Sequence, residues 1–340
     1  MRVTQRDIAR LAKVSQATVS RVISGDSRVE VDIRSRVESV IQDQNYRPDV
    51  RAQSLRNRRT GMIGLVIKRP QGGIENDPFY ANLIASIMEQ LSQTEFHLCV
   101  DCASDNDKHL SLYDEMLRTR RVDGLILVES EAVDNRIERL QADRFPFVLI
   151  GNPLHAAEIH SIDNDNVLAS ELLTQHLMKQ GYRRIAFLGA RSGITVSDDR
   201  IAGYQRALRG NQDEHLIFHS EFGSEAARKT AREMLNRKDR PDAIVVLDDF
   251  MALGVSAASR EFKLTVPTDL GIASFNDSSL CDVIGGGLTS VNLNIPEIVR
   301  LAVNRLLDII DERTIQGERR ILVPSHLTVR HSSRKQEVVL

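Results

Sequence analysis

Val14-Ser15-Gln16-Ala17-Thr18-Val19-Ser20-Arg21-Val22 is the stretch from which the rest of the chain can be read. Ser15 is a good N-cap, since its oxygen can accept from the free amides of a first turn. Val19, Val22 and Ile23 then fall on one side of a helix predicted over Gln16 to Ile23. Upstream, Thr4 caps a helix predicted from about Gln5 to Ala12. Asp7 stands where a carboxylate favours the first-turn amides, and Ile8 and Ala12 follow at helical spacing. Only Lys13-Val14 separates the two helices, so they meet at a tight turn. Downstream, Ser24-Gly25-Asp26 stops the second helix, and Ile33, Val37, Val40 and Ile41 mark the apolar stripe of a third. Three short helices sharing one small core make a helix-turn-helix. Such a unit offers the N-terminal half of its second helix to a DNA major groove, and that half carries Gln16, Ala17, Thr18, Ser20 and Arg21. Charge agrees: residues 1–59 hold 13 Lys+Arg against 7 Asp+Glu, a net of +6, leaving 32 against 40 in the remainder, a net of −8.

That acidic remainder reads differently. Apolar runs Met62 to Ile67, Leu98 to Ala103, Leu125 to Val128, Phe147 to Ile150, Ile185 to Leu188, Ala243 to Leu247 and Ile272 to Phe275 alternate with amphipathic stretches. Among the latter are Tyr80 to Gln93, Ala169 to Lys179, Arg200 to Leu208 and Met251 to Phe262. Alternation on this scale predicts an α/β body of parallel sheets covered by helices on both faces, with strands enough for two sheets. The length of 340 residues fits a small domain plus a larger body. The longest apolar runs, Gly124 to Val128 and Phe145 to Ile150, fall far short of the ~20 residues of a membrane span. Met1 to Asp7 has basic residues with no apolar run behind them, unlike a secretory signal, and three cysteines do not make a disulfide framework. Both favour a cytoplasmic protein. Cys99 and Cys102 have redox-pair spacing but fall on a predicted strand, where they face opposite ways. His97, His109, His155 and His160 show no zinc spacing. No nucleophile-elbow, dinucleotide or P-loop motif is present, so neither a metal, a cofactor nor an enzymatic activity is expected.

Val3 to Ala9 together with Val14 to Val22 resemble the head of LacI/GalR family transcription regulators. The resemblance implies that Gln16, Ala17 and Arg21 read base edges, while Thr4, Ser15, Thr18 and Ser20 hold phosphates or cap helices. The residue types suit those tasks, because Gln pairs with adenine, Arg with guanine and Ala with a thymine methyl. Tyr46 to Arg56 resembles the family's hinge helix, with Arg51, Ala52 and Leu55 among its DNA-binding residues and Leu55 as a minor-groove wedge. Pro48-Asp49 replaces the family's Pro-Asn, which keeps the cap and sets a carboxylate near phosphates. A helix of about two turns is not stable alone and would order against a partner hinge and DNA.

For the body the resemblance implies two α/β subdomains of the periplasmic-binding-protein type I fold, joined by three crossovers, with ligand in the cleft. The domains expected are a helix-turn-helix at 1–46, a hinge and linker at 47–60, and an effector-binding and dimerisation domain at 61–340. Within the last, the N-subdomain covers about 61–161 plus 292–322 and the C-subdomain about 162–291 plus 323–332. Ligands of open α/β sheets sit beyond the carboxyl ends of strands. There the resemblance points to Phe79 and Tyr80 as cleft aromatics, Arg200 of Arg200-Ile201-Ala202-Gly203, Phe222 as an aromatic platform, and Asp163, Asp248, Asn276 and Asp277 as polar ligands. Asp248 replaces the family's Asn and so only accepts hydrogen bonds, which favours a hydroxyl-rich sugar or polyol over an anion; a nucleobase is the second choice. The expected partners are double-stranded operator DNA, a small-molecule effector and a second copy of the chain, with no membrane. The apolar stretch from Tyr80 to Met88 could serve a dimer interface or face the core. The rival readings are a solute-binding or sensory protein and an α/β enzyme with a fused DNA-binding head.

Overall fold

Thr4 begins the first described helix as the sequence predicts. Its hydroxyl accepts from the Asp7 amide, and the Asp7 carboxylate accepts in turn from the Thr4 amide at 3.1 Å, closing a reciprocal cap. The computed structural model of the chain describes residues 3–23, 25–46, 59–68, 77–154, 158–209 and 216–335, which fall into two compact units, 1–61 and 62–340. In the first unit, helices α1 (Gln5–Ala12), α2 (Gln16–Ile23) and α3 (Val31–Asp43) close on Ile8, Ala9, Ala12, Val19, Val22 and Val37. Each aliphatic side chain in that cluster contributes on the order of 1–3 kcal/mol, enough to hold three short helices that would not persist singly. Arg51, Ala52 and Leu55 of the expected hinge lie outside the described residues.

The second unit holds two six-stranded sheets. The first runs in the order β11 (Arg320–Leu322), β5 (Ser161–Asp163), β4 (Phe147–Ile150), β3 (Gly124–Val128), β1 (Met62–Lys68), β2 (His97–Ala103), and all its pairings are parallel. The second runs β12 (His326–Thr328), β10 (Thr289–Asn292), β9 (Gly271–Phe275), β8 (Ala243–Val246), β6 (Ile185–Gly189), β7 (Leu216–His219). Only the β10–β12 pair is antiparallel. Buried on both faces, β3, β4, β6 and β8 are continuous apolar runs with no alternation, and β9 departs from this only at the buried Ser274, which is why the sequence shows them so plainly.

Helices cover the sheets: α4 (Pro78–Leu91), α5 (Asn106–Thr119), α6 (Asn135–Ala142) and α11 (Ile295–Ile310) the first, and α7 (Asn166–Lys179), α8 (Thr195–Leu208), α9 (Ser224–Leu235) and α10 (Asp249–Glu261) the second. From Tyr80 to Met88 one face of α4 meets the core. Tyr80, Leu83 and Ile87 are fully buried, while Ala81, Asn82, Ala85 and Met88 are exposed, Met88 at 58%. Cys99 and Cys102 are unpaired thiols on β2. The chain passes between the sheets three times, after β5, after β10 and after β11. The first crossing stitches the other two: Asn164 donates its side-chain amide to the carbonyls of Leu293 at 3.1 Å and Val323 at 2.7 Å. Among the described residues no helix is long and apolar enough to cross a membrane.

Candidate functional site

Two surfaces carry the predicted residues. On the first unit, Ser15 caps α2 by accepting from the Thr18 amide at 3.0 Å, and the two hydroxyls lie 2.8 Å apart. Gln16, Ala17 and Arg21 are exposed, Thr18 and Ser20 half-buried, while Val19 and Val22 turn inward. The helix thus divides cleanly between a packing face and an outward face of one amide, one methyl and one guanidinium. Thr4, Ser15 and Thr18 stand in the local caps that set the angle of that face.

The second surface is a cleft between the carboxyl ends of the two sheets that opens to solvent and encloses about 90 Å³. Its walls differ. Val128, Ile150, Leu293, Ile295, Ile298 and Phe79 make an apolar side. Asp163, Asn166, Thr195, Arg200, Asp248 and Asn276 make a polar one, and Phe222 adds an aromatic face.

Arg200 is the centre of the polar wall. Helix α8 projects it beneath the end of β8, where Nε donates to the Asn166 amide oxygen at 2.9 Å and Nη1 to the Leu247 carbonyl at 2.5 Å. Its guanidinium lies 4.1 Å from the centre of the Phe275 ring. Burial pushes its pKa down to about 10, against the pull of Asp248, Asp163 and other nearby carboxylates, so it remains a cation at neutral pH. Asp163, at the end of β5, accepts from the Asn166 amide at 3.0 Å through Oδ1. Its buried Oδ2 has no hydrogen-bond partner, the Arg320 guanidinium lying 3.8 Å away. Burial raises that carboxyl to about 6. Asp248 caps α10, accepting from the Met251 amide at 2.6 Å, and still lines the cleft. Asn276 reaches it from a turn after β9 with φ of 102°, a conformation in which Asn is among the better tolerated residues.

Two expected ligand residues stand elsewhere. Tyr80 is wholly buried in the core, because neighbours on a helix point about 100° apart and Phe79 takes the cleft-facing direction. Asp277 accepts from Arg330 at 2.6 Å and from Asn292 and Thr328, each at 3.0 Å. Its carboxylate ties β9, β10 and β12 together and does not line the cleft. Conversely, Asp77, Glu129, Ser130, Asn164, Asn166 and Thr195 line the cleft and were not predicted to. Asp77, Asn164 and Asn166 are legible in retrospect as polar residues at strand or helix ends. Ser130 and Thr195 had no signal, since they meet across 65 residues of chain.

Residues 4–49 match the family model described as bacterial regulatory proteins, lacI family, and residues 174–333 match that of the periplasmic binding protein-like domain. The HTH-type transcriptional regulator CelR of Thermobifida fusca is 30% identical over 336 residues, covering 97% of this chain and 98% of the relative. MalR of Streptococcus pneumoniae is 29% identical over 316 residues, covering 92% and 94%. A solved structure of a CelR–cellobiose complex matches with a TM-score of 0.74 at 28% identity, covering 97% of this chain and all of that one.

Proposed function

This chain belongs to the LacI family of bacterial regulatory proteins, and from that premise we propose that it is a cytoplasmic, dimeric repressor of a carbohydrate uptake or catabolism operon. Two heads bind the halves of a near-palindromic operator, and a sugar in the cleft changes operator affinity. The observation that carries the reading is the pairing, in one chain, of an outward-facing Gln16, Ala17 and Arg21 with a cleft lined by Arg200, Asp163, Asp248, Phe79 and Phe222. The cleft has no turnover role in this reading.

The polar wall favours an uncharged effector. Asp163, Asp248 and Glu129 line the site against a single guanidinium, and that guanidinium already serves Asn166 and Leu247. A sugar phosphate or sugar acid would bring a buried negative charge to carboxylates, a desolvation cost with little compensation. A hydroxyl-rich ring supplies donors to the carboxylates while its C–H face lies on the aromatic and aliphatic side. A relative bound to cellobiose supports the same class. The direct check is thermal denaturation with a panel of neutral mono- and disaccharides, their phosphates and nucleobases. At 100 times its dissociation constant a true effector stabilises the fold by about 2.7 kcal/mol. Stabilisation only by phosphorylated sugars, or only by nucleobases, would overturn the uncharged-sugar assignment.

A further inference from the structure

Besides the three crossings, the subdomains meet at a second place, where segments 130–132 after β3 and 193–195 at the start of α8 run antiparallel and pair as backbone. The Ala132 amide donates to the Gly193 carbonyl at 2.8 Å and the Thr195 amide to the Ser130 carbonyl at 3.1 Å, around a bridge between Glu131 and Ile194. Buried beside it, the Ser130 and Thr195 hydroxyls lie 2.7 Å apart. Over it, one carboxylate oxygen of Glu131 takes both Lys68 from its own subdomain, at 2.6 Å, and Arg191 from the other, at 2.8 Å.

Each half is braced from its own side. Asp134, the cap of α6, accepts from the Glu131 amide at 3.3 Å, and Asp198, in the first turn of α8, accepts from the Gly193 amide at 2.9 Å. Two turns held separately in shape to present complementary donors and acceptors constitute a preorganised contact, which needs little further ordering when it forms.

We propose that segments 130–132 and 193–195 are a strap that holds the two subdomains together beside the cleft, and that Glu131 is its positioning residue. A pair of hydrogen bonds with one shared ion contact is weak enough to open and strong enough to bias a two-state hinge. Where the chain acts as a sugar-responsive regulator, a clause that rests on the reading above, the strap presets effector affinity through the fraction of molecules in which it is formed.

Amide hydrogen exchange on the full-length chain without sugar or DNA tests this. The Ala132 and Thr195 amides are expected to exchange at least tenfold more slowly than exposed loop amides. Glu131→Ala and Arg191→Ala should each erode that protection, the double variant should lose no more than the larger single loss, and Glu131→Asp should restore part of it. Ala132 exchanging like an open loop, or equal protection in all four variants with an unchanged melting temperature, would overturn the strap. Because this test uses neither operator nor effector, its failure is separable from failure of the regulator assignment.

Discussion

Arg200 shows how far a single residue carries the account. Its buried cation is positioned by Asn166, Leu247 and Phe275 and surrounded by acceptors, so the cleft loses its principal fixed donor when it is removed. Arg200→Ala is expected to abolish the effector-induced change in operator affinity and to leave effector-free operator affinity within about twofold, as read by fluorescence anisotropy. A variant that still responds would remove Arg200 from the site. His109 makes a second residue-scale prediction. It is buried, and burial followed by the nearby Arg136 and Lys68 charges pushes its imidazole down to about 4. Above pH 6.5 the folded and unfolded chains both hold it neutral. As pH falls from there towards 4 the unfolded chain takes up the proton first, and stability drops by up to about 3 kcal/mol. Urea denaturation across that range should show this slope, and His109→Gln should flatten it; identical slopes would contradict the assignment.

At the scale of elements, Gly203 illustrates a residue whose reason lies in packing. It closes the Arg-x-x-Gly stretch, and a Cβ there would overlap the Val167 carbonyl oxygen, because α7 and α8 cross backbone to backbone. Gly203→Ala is therefore expected to cost about 3 kcal/mol or more of stability through overpacking, measured by chemical denaturation, and a neutral substitution would show that the helices can separate. What the sequence made legible follows the same logic. The central strands and α1 and α2 were readable because periodicity, caps and apolar runs are local. The short β5 and the half-exposed β7 were not, since three or four residues beside a polar turn carry little pattern. Cleft residues at strand ends, Asp163 and Asp248, were legible by position, and Arg200 on α8 by its resemblance to a family motif. Tyr80 and Asp277 were misplaced because a motif fixes neither the direction of a side chain nor which strands compete for it.

For the whole molecule, the central claim is that one chain couples a base-reading head to a sugar-reading cleft. A net of +6 on the first 59 residues and −8 on the rest directs DNA to the head and keeps it from the body. The hinge between them, Tyr46 to Arg56, is assigned from the sequence resemblance. The most direct test is selection of bound fragments from the source genome by the full-length chain, with sequencing, at fixed salt and with each sugar of the panel in turn. The account predicts recovery of a near-palindromic site whose occupancy changes with one uncharged sugar. Recovery of no enriched site at low salt, or of a site indifferent to every compound, would contradict it.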